Sequence, residues 1–392
     1  MKFETSPHRL RGTRSCWNPI RSLTPKSLTH MLDAFHAGNL RAAAQVWETM
    51  EHRDDLLQGV ISKRKKSISR LKWEILTLDN SPIAQREKQV LEIFYNNLTA
   101  TNAYDEHETG GVRLLIKQMM DAVGKKYAVH EIIFRPIEGG LTADFRFVPL
   151  WFFENTGGQM RFVPPEGQPI PVEPGSWMVT GGDGLMESCS IAYLFKHLPL
   201  RDWLVYCERN GMPGVKGVTH ALPGSPEWEA ARQAVQNFGA EFHALMSRGT
   251  NIEAIDLSAR GELPYPSLVE RMDRAMAALW RGADLATLSH REGVGISLQT
   301  EEKNILEEDD AQMISDTLHE QVDRHILKYL FGTTSPQAYF HLKPSSNKNL
   351  KNDLSVFKTL WEMGVPIGLN DLREHFGLNA PVSAEDEISH KK

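Results

Sequence analysis

At Tyr127 the hydropathy of this chain changes period, and that change restricts the fold more than any other feature. Before it, apolar residues recur at helical spacing. After it come short alternating runs, AVHEIIFRP, ADFRFVPLWFFEN, MRFVPPEG and GSWMVTGG, punctuated by glycine and proline. Period two with breakers between short runs is the pattern of antiparallel strands. About fifty residues in this texture make a small antiparallel β region, in which Leu150, Trp151, Phe152 and Phe153 require a core. Strands grouped together, with helices before and after them, point to an α+β fold in several lobes.

The flanking segments read as helices. Leu28, Met31, Leu32 and Phe35 share one face up to a break at Gly38-Asn39, and Leu40, Ala44 and Trp47 share the next. A third helix runs from about Asp54 to Arg70 through Leu56, Leu57, Val60, Ile61 and Ile68. Its basic run, Lys63 to Lys66, reads as a solvated face rather than a phosphate contact. LKWEILTL alternates as a strand, and residues 82–123 return to helix.

Further on, a helical stretch ending at Gly211 carries Pro199 near its middle, which should kink or split it. Val215–Val218 and NIEAIDLS read as short strands. Ser225, Pro226, Glu227 and Glu229 combine into a strong helix start. The segment from Tyr265 is an amphipathic helix with Leu268, Met272, Ala275 and Leu279 on one stripe, and Glu270, Arg271, Asp273 and Arg274 opposite. A glycine-broken segment precedes a last long helix at roughly 303–330, and shorter helices fall near 352–363 and 370–376. The first 25 residues, with Arg9, Arg11, Arg14 and Arg21, fit an extended arm and a frayed terminus equally well.

The 392 residues allow two or three domain-sized units, and 41% hydrophobic with 24% charged residues is the balance of a soluble globular protein. Cys16, Cys189 and Cys207 form no CxxC pair, so neither a disulfide framework nor a cysteine zinc site is expected, and a reducing compartment suits them. The chain shows no signal-peptide pattern and no run of apolar residues long enough to span a membrane.

Catalytic motifs do not assemble. TGGDG and TGGVR lack the Lys-Ser/Thr that a P-loop needs. His319 and His325 are six residues apart, too far round a helix to share a metal as the zincin spacing does. Glu301, Glu302, Glu307, Glu308, Asp309 and Asp310 could gather a divalent ion, but acid at a helix N-terminus is accounted for by the macrodipole. A net charge of −6 without a basic-region helix, C2H2 spacing or RNP-type motif argues against sequence-reading DNA binding.

Several segments, in order, resemble the portal proteins of Mu-like tailed phages and prophages. They are residues 18–75 with Asn18-Pro19, Asp54-Asp55 and Trp73; KKYAVHEIIF, where Lys126 stands beside Tyr127 in place of the family's glycine; and residues 194–217 with Lys196, Asp202-Trp203, Glu208, Gly211 and Pro213. Residues 248–304, 309–332 and 361–378 continue the likeness, although LATLSHREGVG departs from the family's pattern.

The resemblance implies an α+β portal subunit: a ring of about twelve copies around a channel, with wing, stem, clip and crown. It implies an arm at 1–25, a wing at 26–185, stem helices at 186–211 and 265–283, a clip at 212–264, a channel loop at 284–302 and a crown at 303–392. Arg271, Arg274, Arg281, His290 and Arg291 become channel candidates; Lys216, Glu227, Trp228 and Arg232 become clip candidates facing the terminase or connector. The implied partners are copies of itself, the large terminase ATPase, the major capsid protein, head–tail connector proteins and double-stranded DNA passing without sequence readout. Neither cofactor nor membrane is implied, and the location is the virion vertex, after assembly in host cytoplasm. A head-morphogenesis adaptor without a channel, or a divalent-dependent hydrolase using residues 307–310, are the alternatives.

Overall fold

The computed structural model describes residues 23–138, 140–211, 214–236, 251–255, 263–282, 295–344 and 350–364, with 368, 372 and 373. Residues 1–344 form one compact unit and 345–392 another.

The first helix, α1 (Pro25–His36), starts at a capping box in which Thr24 and Ser27 satisfy each other's amides, and it buries Leu28, Met31 and Phe35. The Gly38-Asn39 break is a docking point as well as a turn. Gly38 has φ +97°, and a Cβ there would stand 2.2 Å from the Asn155 carbonyl oxygen, so only glycine lets the chain lie against the β region. Helices α2 (Arg41–Arg53) and α3 (Asp55–Ile68) meet at Asp54, whose carboxylate accepts from the Leu57 amide at 2.9 Å.

Strand β1 (Lys72–Thr77) pairs antiparallel with β12 (Ala338–Lys343), setting Trp73 opposite Leu342 and Ile75 opposite Phe340. Between them in sequence come α4 (Pro82–Asn97), β2 (Thr99–Asn102), β3 (Thr109–Gly110), α5 (Val112–Met119) and α6 (Asp121–Lys125). The helical reading of 82–123 is therefore corrected: β2 and β3 interrupt it. Thr99 to Asn102 is short and rich in threonine, and its backbone is claimed by a parallel pairing with β5 (Gly140–Val148). The main sheet, ordered β3-β2-β5-β4-β9 with β4 (Tyr127–Ile137) and β9 (Trp177–Gly181), is thus mixed rather than wholly antiparallel. A second sheet holds β6 (Phe153–Thr156), β7 (Gln159–Phe162) and β8 (Ile170–Pro171), and Leu150, Phe152 and Phe153 are core residues as anticipated.

Lys126 joins α6 to β4 with φ +72°, the position where the resemblance has glycine. A side chain in that region costs about 1–2 kcal/mol, partly offset by glycine's greater unfolded-state entropy. Lys126→Gly is expected to stabilise the protein by about 0.5–1 kcal/mol, read as a small rise in the thermal midpoint. An unchanged or lowered midpoint would contradict this account.

Helix α7 (Met186–Gly211) runs unbroken through Pro199, correcting the expected split. One lost hydrogen bond is outweighed by packing along α9 (Pro264–Arg281), which ends at Gly282 with φ +76°. Between these helices lie β10 (Gly214–Val218), antiparallel to β11 (Asn251–Ile255), and α8 (Pro226–Gln236), whose start Ser225 caps by accepting from the Trp228 amide at 3.1 Å.

Helix α10 (Gly295–Leu318) passes through one π turn (His319–Asp323) into α11 (Arg324–Phe331). It begins earlier than expected, so residues 295–302 are helix and not loop, and Glu307 to Asp310 lie well inside it. The macrodipole account of those acids fails, because its reach is the first turn. The π turn has structural consequences. Buried Asp323 accepts from the Tyr95 hydroxyl at 2.6 Å and the Phe340 amide at 2.8 Å, and the Gln321 amide covers the edge of β9 by bonding both Val179 N and O. In the C-terminal unit, α12 (Leu350–Glu362) is described; the helix expected near 370–376 lies largely outside the described residues.

Candidate functional site: the paired long helices and their basic face

Helices α7 and α9 are fixed to α3 by a buried ionic joint. Lys196 Nζ on α7 lies 2.9 Å from Asp54 Oδ2, 3.3 Å from Asp55 Oδ1 and 2.7 Å from Asp273 Oδ1 of α9, while His197 Nε2 lies 3.0 Å from Asp54. Burial alone would raise the Asp54 carboxyl, but hydrogen bonds from His197, the Leu57 amide and Lys196 pull it down to about 2. Burial likewise opposes the Lys196 charge, yet Asp273 and Asp54 hold its ammonium well above the ordinary lysine value.

A second joint lies further along α3. Arg64 makes a bidentate pair with Asp310 of α10, at 2.8 and 2.9 Å, and donates to the Trp280 carbonyl of α9 at 3.2 Å. Burial raises the Asp310 carboxyl despite the facing guanidinium. The basic run is therefore not a uniformly solvated face: Lys63 and Lys66 are exposed, while Arg64 and Lys65 turn inward to carboxylates. The acidic run is divided too, with Glu307 and Asp310 buried and Glu308 and Asp309 exposed. Among the described residues no group of three or more His, Cys, Asp or Glu is placed to hold a metal. His319 packs near Tyr339 and His325 against Gly175, so those two imidazoles do not converge.

Three channel candidates do converge. At 100° per residue, Arg271, Arg274 and Arg281 fall within about 80° of the α9 circumference, on the side away from buried Met276 and Trp280. Arg271 and Arg281 are exposed, and Arg274 pairs with Glu270 one turn back. His290 and Arg291 lie outside the described residues. Of the clip candidates, Glu227 is exposed and Trp228 half-buried in the first turn of α8; Arg232 pairs with Glu229 at 2.8 Å, and Lys216 stands opposite Glu253 in the β10–β11 register.

The stripe Leu268, Met272, Ala275 and Leu279 only borders the core: Met276 and Trp280 are the buried residues of α9, while Met272 and Leu279 pack against the core's edge and stay partly open. With Ile191 and Phe195 of α7, Met272, Ala275 and Leu279 line an open apolar groove of about 710 Å³. Sequence reasoning also gave Lys196, Asp54 and Asp273 no role. The available signal was one cation and an acid pair in two of the recognisable segments, but nothing in the spacing says that they meet.

The geometry can be compared with known proteins. The chain is 22% identical over 291 residues to the Mu-like prophage FluMu protein gp29 of Haemophilus influenzae, covering 69% of this chain and 53% of that one. It is 21% identical over 288 residues to the portal protein of Escherichia phage Mu, with the same two coverages. It therefore spans about half the length of the curated relatives it matches. Among solved structures, a chain in the neck of a native gene transfer agent particle, computed with C12 symmetry, superposes with TM-score 0.58 at 12% identity, covering 90% of this chain and 100% of that one. A chain in the virion of the native particle gives 0.57 at 10% identity, covering 95% and 98%. The fold is the α+β fold of portal subunits. The family model described as "Portal protein of Mu bacteriophage" matches residues 44–378, and the chain belongs to that family.

Proposed function

We propose that this chain is the portal subunit of a Mu-like phage or prophage. About twelve copies close into a ring at one capsid vertex, which nucleates the head, docks the terminase and passes double-stranded DNA in packaging and ejection. The observation that carries the reading is the family match along residues 44–378, supported by the fold shared with a neck chain of twelvefold symmetry. In this reading α7 and α9 are the stem, residues 26–185 the wing, 212–264 the clip, the stretch after α9 the channel-facing part, and 303–392 the crown. The wing meets capsid protein; the clip meets first the terminase and then the connector. A separate ATPase supplies the work, so no cofactor or catalytic group is asked of this chain.

Native mass spectrometry with negative-stain imaging tests it. Rings of about twelve copies with a central hole are expected. A monomer or dimer unchanged by salt and concentration overturns the reading.

A conduit must attract DNA without gripping it, because affinity grows with every counterion released. A short basic face with an acid in it, as on α9, suits that requirement. Arg271→Glu with Arg281→Glu is expected to leave ring size and midpoint unchanged and to cut DNA packaged in a reconstituted head several-fold. Undiminished packaging would remove these residues from the channel.

A further inference from the structure

The outward half of the basic run on α3 continues into a larger cluster of cations. Lys63 and Lys66 are exposed and stand about 60° apart on the helix. Arg70, also exposed, follows in the turn that closes on Ser67, with its amide 3.3 Å from that carbonyl oxygen. Exposed Lys72 then opens β1, and strand pairing sets it directly opposite exposed Lys343 of β12. Like charges facing each other across a strand pair are destabilising. Among the described residues Lys63, Lys66, Arg70 and Lys72 have no ion-pair partner, and Lys343 has only Glu74, at 3.8 Å. The helix macrodipole accounts for cations in the last turn of α3, Lys65 and Lys66, but not for Arg70, Lys72 and Lys343 beyond it.

We infer that this ridge binds the phosphate backbone of double-stranded DNA, through residues other than the α9 arginines and without reading bases. That a duplex is at hand rests on the portal reading; that the ridge suits one rests on its chemistry. Residues 55–72 hold no exposed large apolar side chain, whereas protein interfaces are anchored by aromatic and apolar groups and are poor in lysine. Phosphates of one strand advance 3.4 Å along the duplex axis. Lys63 and Lys66 are about 4.5 Å apart along the helix axis, a difference that their long side chains cover. Contacts of this kind position a duplex and carry no sequence information. The two basic surfaces also differ in sign pattern. On α9, Arg274 is paired with Glu270. On the ridge, five cations share one carboxylate, and affinity grows with each phosphate neutralised. The α9 face lets a duplex pass; the ridge holds one.

The test is fluorescence anisotropy of a short labelled duplex of mixed sequence, titrated with the full chain over a range of salt. Lys63→Gln, Lys66→Gln, Arg70→Gln and Lys72→Gln combined in one chain are expected to keep the parent's ring size, far-ultraviolet dichroism and midpoint. Duplex binding should weaken at least about tenfold, and the slope of log affinity against log salt should fall by about 3–4. Lys63→Arg, Lys66→Arg and Lys72→Arg together should bind as the parent does, because the charge is kept. A parent without affinity for the duplex, or a glutamine variant with the parent's affinity and slope, overturns the inference and leaves the portal reading standing. So does an arginine variant as weak as the glutamine one, since shape and not charge is then lost. Polyglutamate binding that the glutamine variant loses while it keeps the duplex also overturns it, and assigns the ridge to an acidic protein. A parent that forms no ring, yet loses the duplex in the glutamine variant, overturns the portal reading alone.

Discussion

Replacing Lys125 by methionine is expected to destabilise the protein by about 3–5 kcal/mol, with a midpoint lowered on the order of 10 °C. Lys125 at the end of α6 lies 2.9 Å from Asp121 and 3.5 Å from Glu51, and also bonds Glu48. Lys65 of α3 joins the same cluster through Asp121 and through Glu51 at 3.9 Å. Three carboxylates thus share two buried ammonium groups, Glu48 being partly open to solvent and also bonded to His52, and removing Lys125 leaves Asp121 and Glu51 with Lys65 as their one remaining cation in this cluster. Burial raises Glu51 despite both lysines, whereas Lys125 and Lys65 hold Asp121 below the usual carboxylate value against the same burial. The sign of the pH dependence follows. A depressed carboxyl contributes stability above its unfolded value and loses it as pH falls through the folded one. The gap between parent and variant should therefore be widest near neutral pH and narrow as the pH is lowered into the carboxylate range. Lys125→Arg should recover much of the loss. A gap independent of pH would show that packing, not charge, is what Lys125 supplies.

Lys196→Met has an effect of similar size, about 3 kcal/mol, and a different location. It leaves Asp54, whose side chain is fully buried, with His197 and the Leu57 amide as partners, and it removes the ammonium that links α7 to Asp273 of α9 and shares the α3–α7 contact with His197. Hydrogen exchange should rise along α7 and α9 while α2, α3 and α6 stay protected; in Lys125→Met the pattern should be the reverse. Unchanged exchange in α7 and α9 would show that apolar packing, led by Met276 and Trp280, holds the helices without the joint.

How much of this was legible in the sequence differs by element. The helix start at Ser225, the strand at Trp73 and the β texture after Tyr127 all rest on local chemistry, and the structure shows each of them. The partner of β1 was not legible, because it is β12, far along the chain, and strand pairing leaves no mark on either strand alone. Strand β2 was missed for the same reason. The buried halves of the basic and acidic runs were missed because composition cannot tell a lysine facing water from one facing a carboxylate across a helix packing. The arginine face of α9, with Arg271, Arg274 and Arg281, was legible, since it needs only the helical period; the other two channel candidates, His290 and Arg291, lie outside the described residues.

By itself the sequence determined much of what depends on neighbours a few residues away: the helix or strand character of most stretches, the cap at Ser225, which residues share a face, and, through the order of its recognisable segments, the family. The tertiary structure decided what depends on distant partners. It settled that Arg64 meets Asp310, that Lys196 joins three helices, and that α9 buries Met276 and Trp280 while leaving Met272, Ala275 and Leu279 at an open groove. The physical reason is that periodicity reports which side chains lie together on a helix. Only the placement of the other elements says whether that side meets the protein's own core or is left for something else.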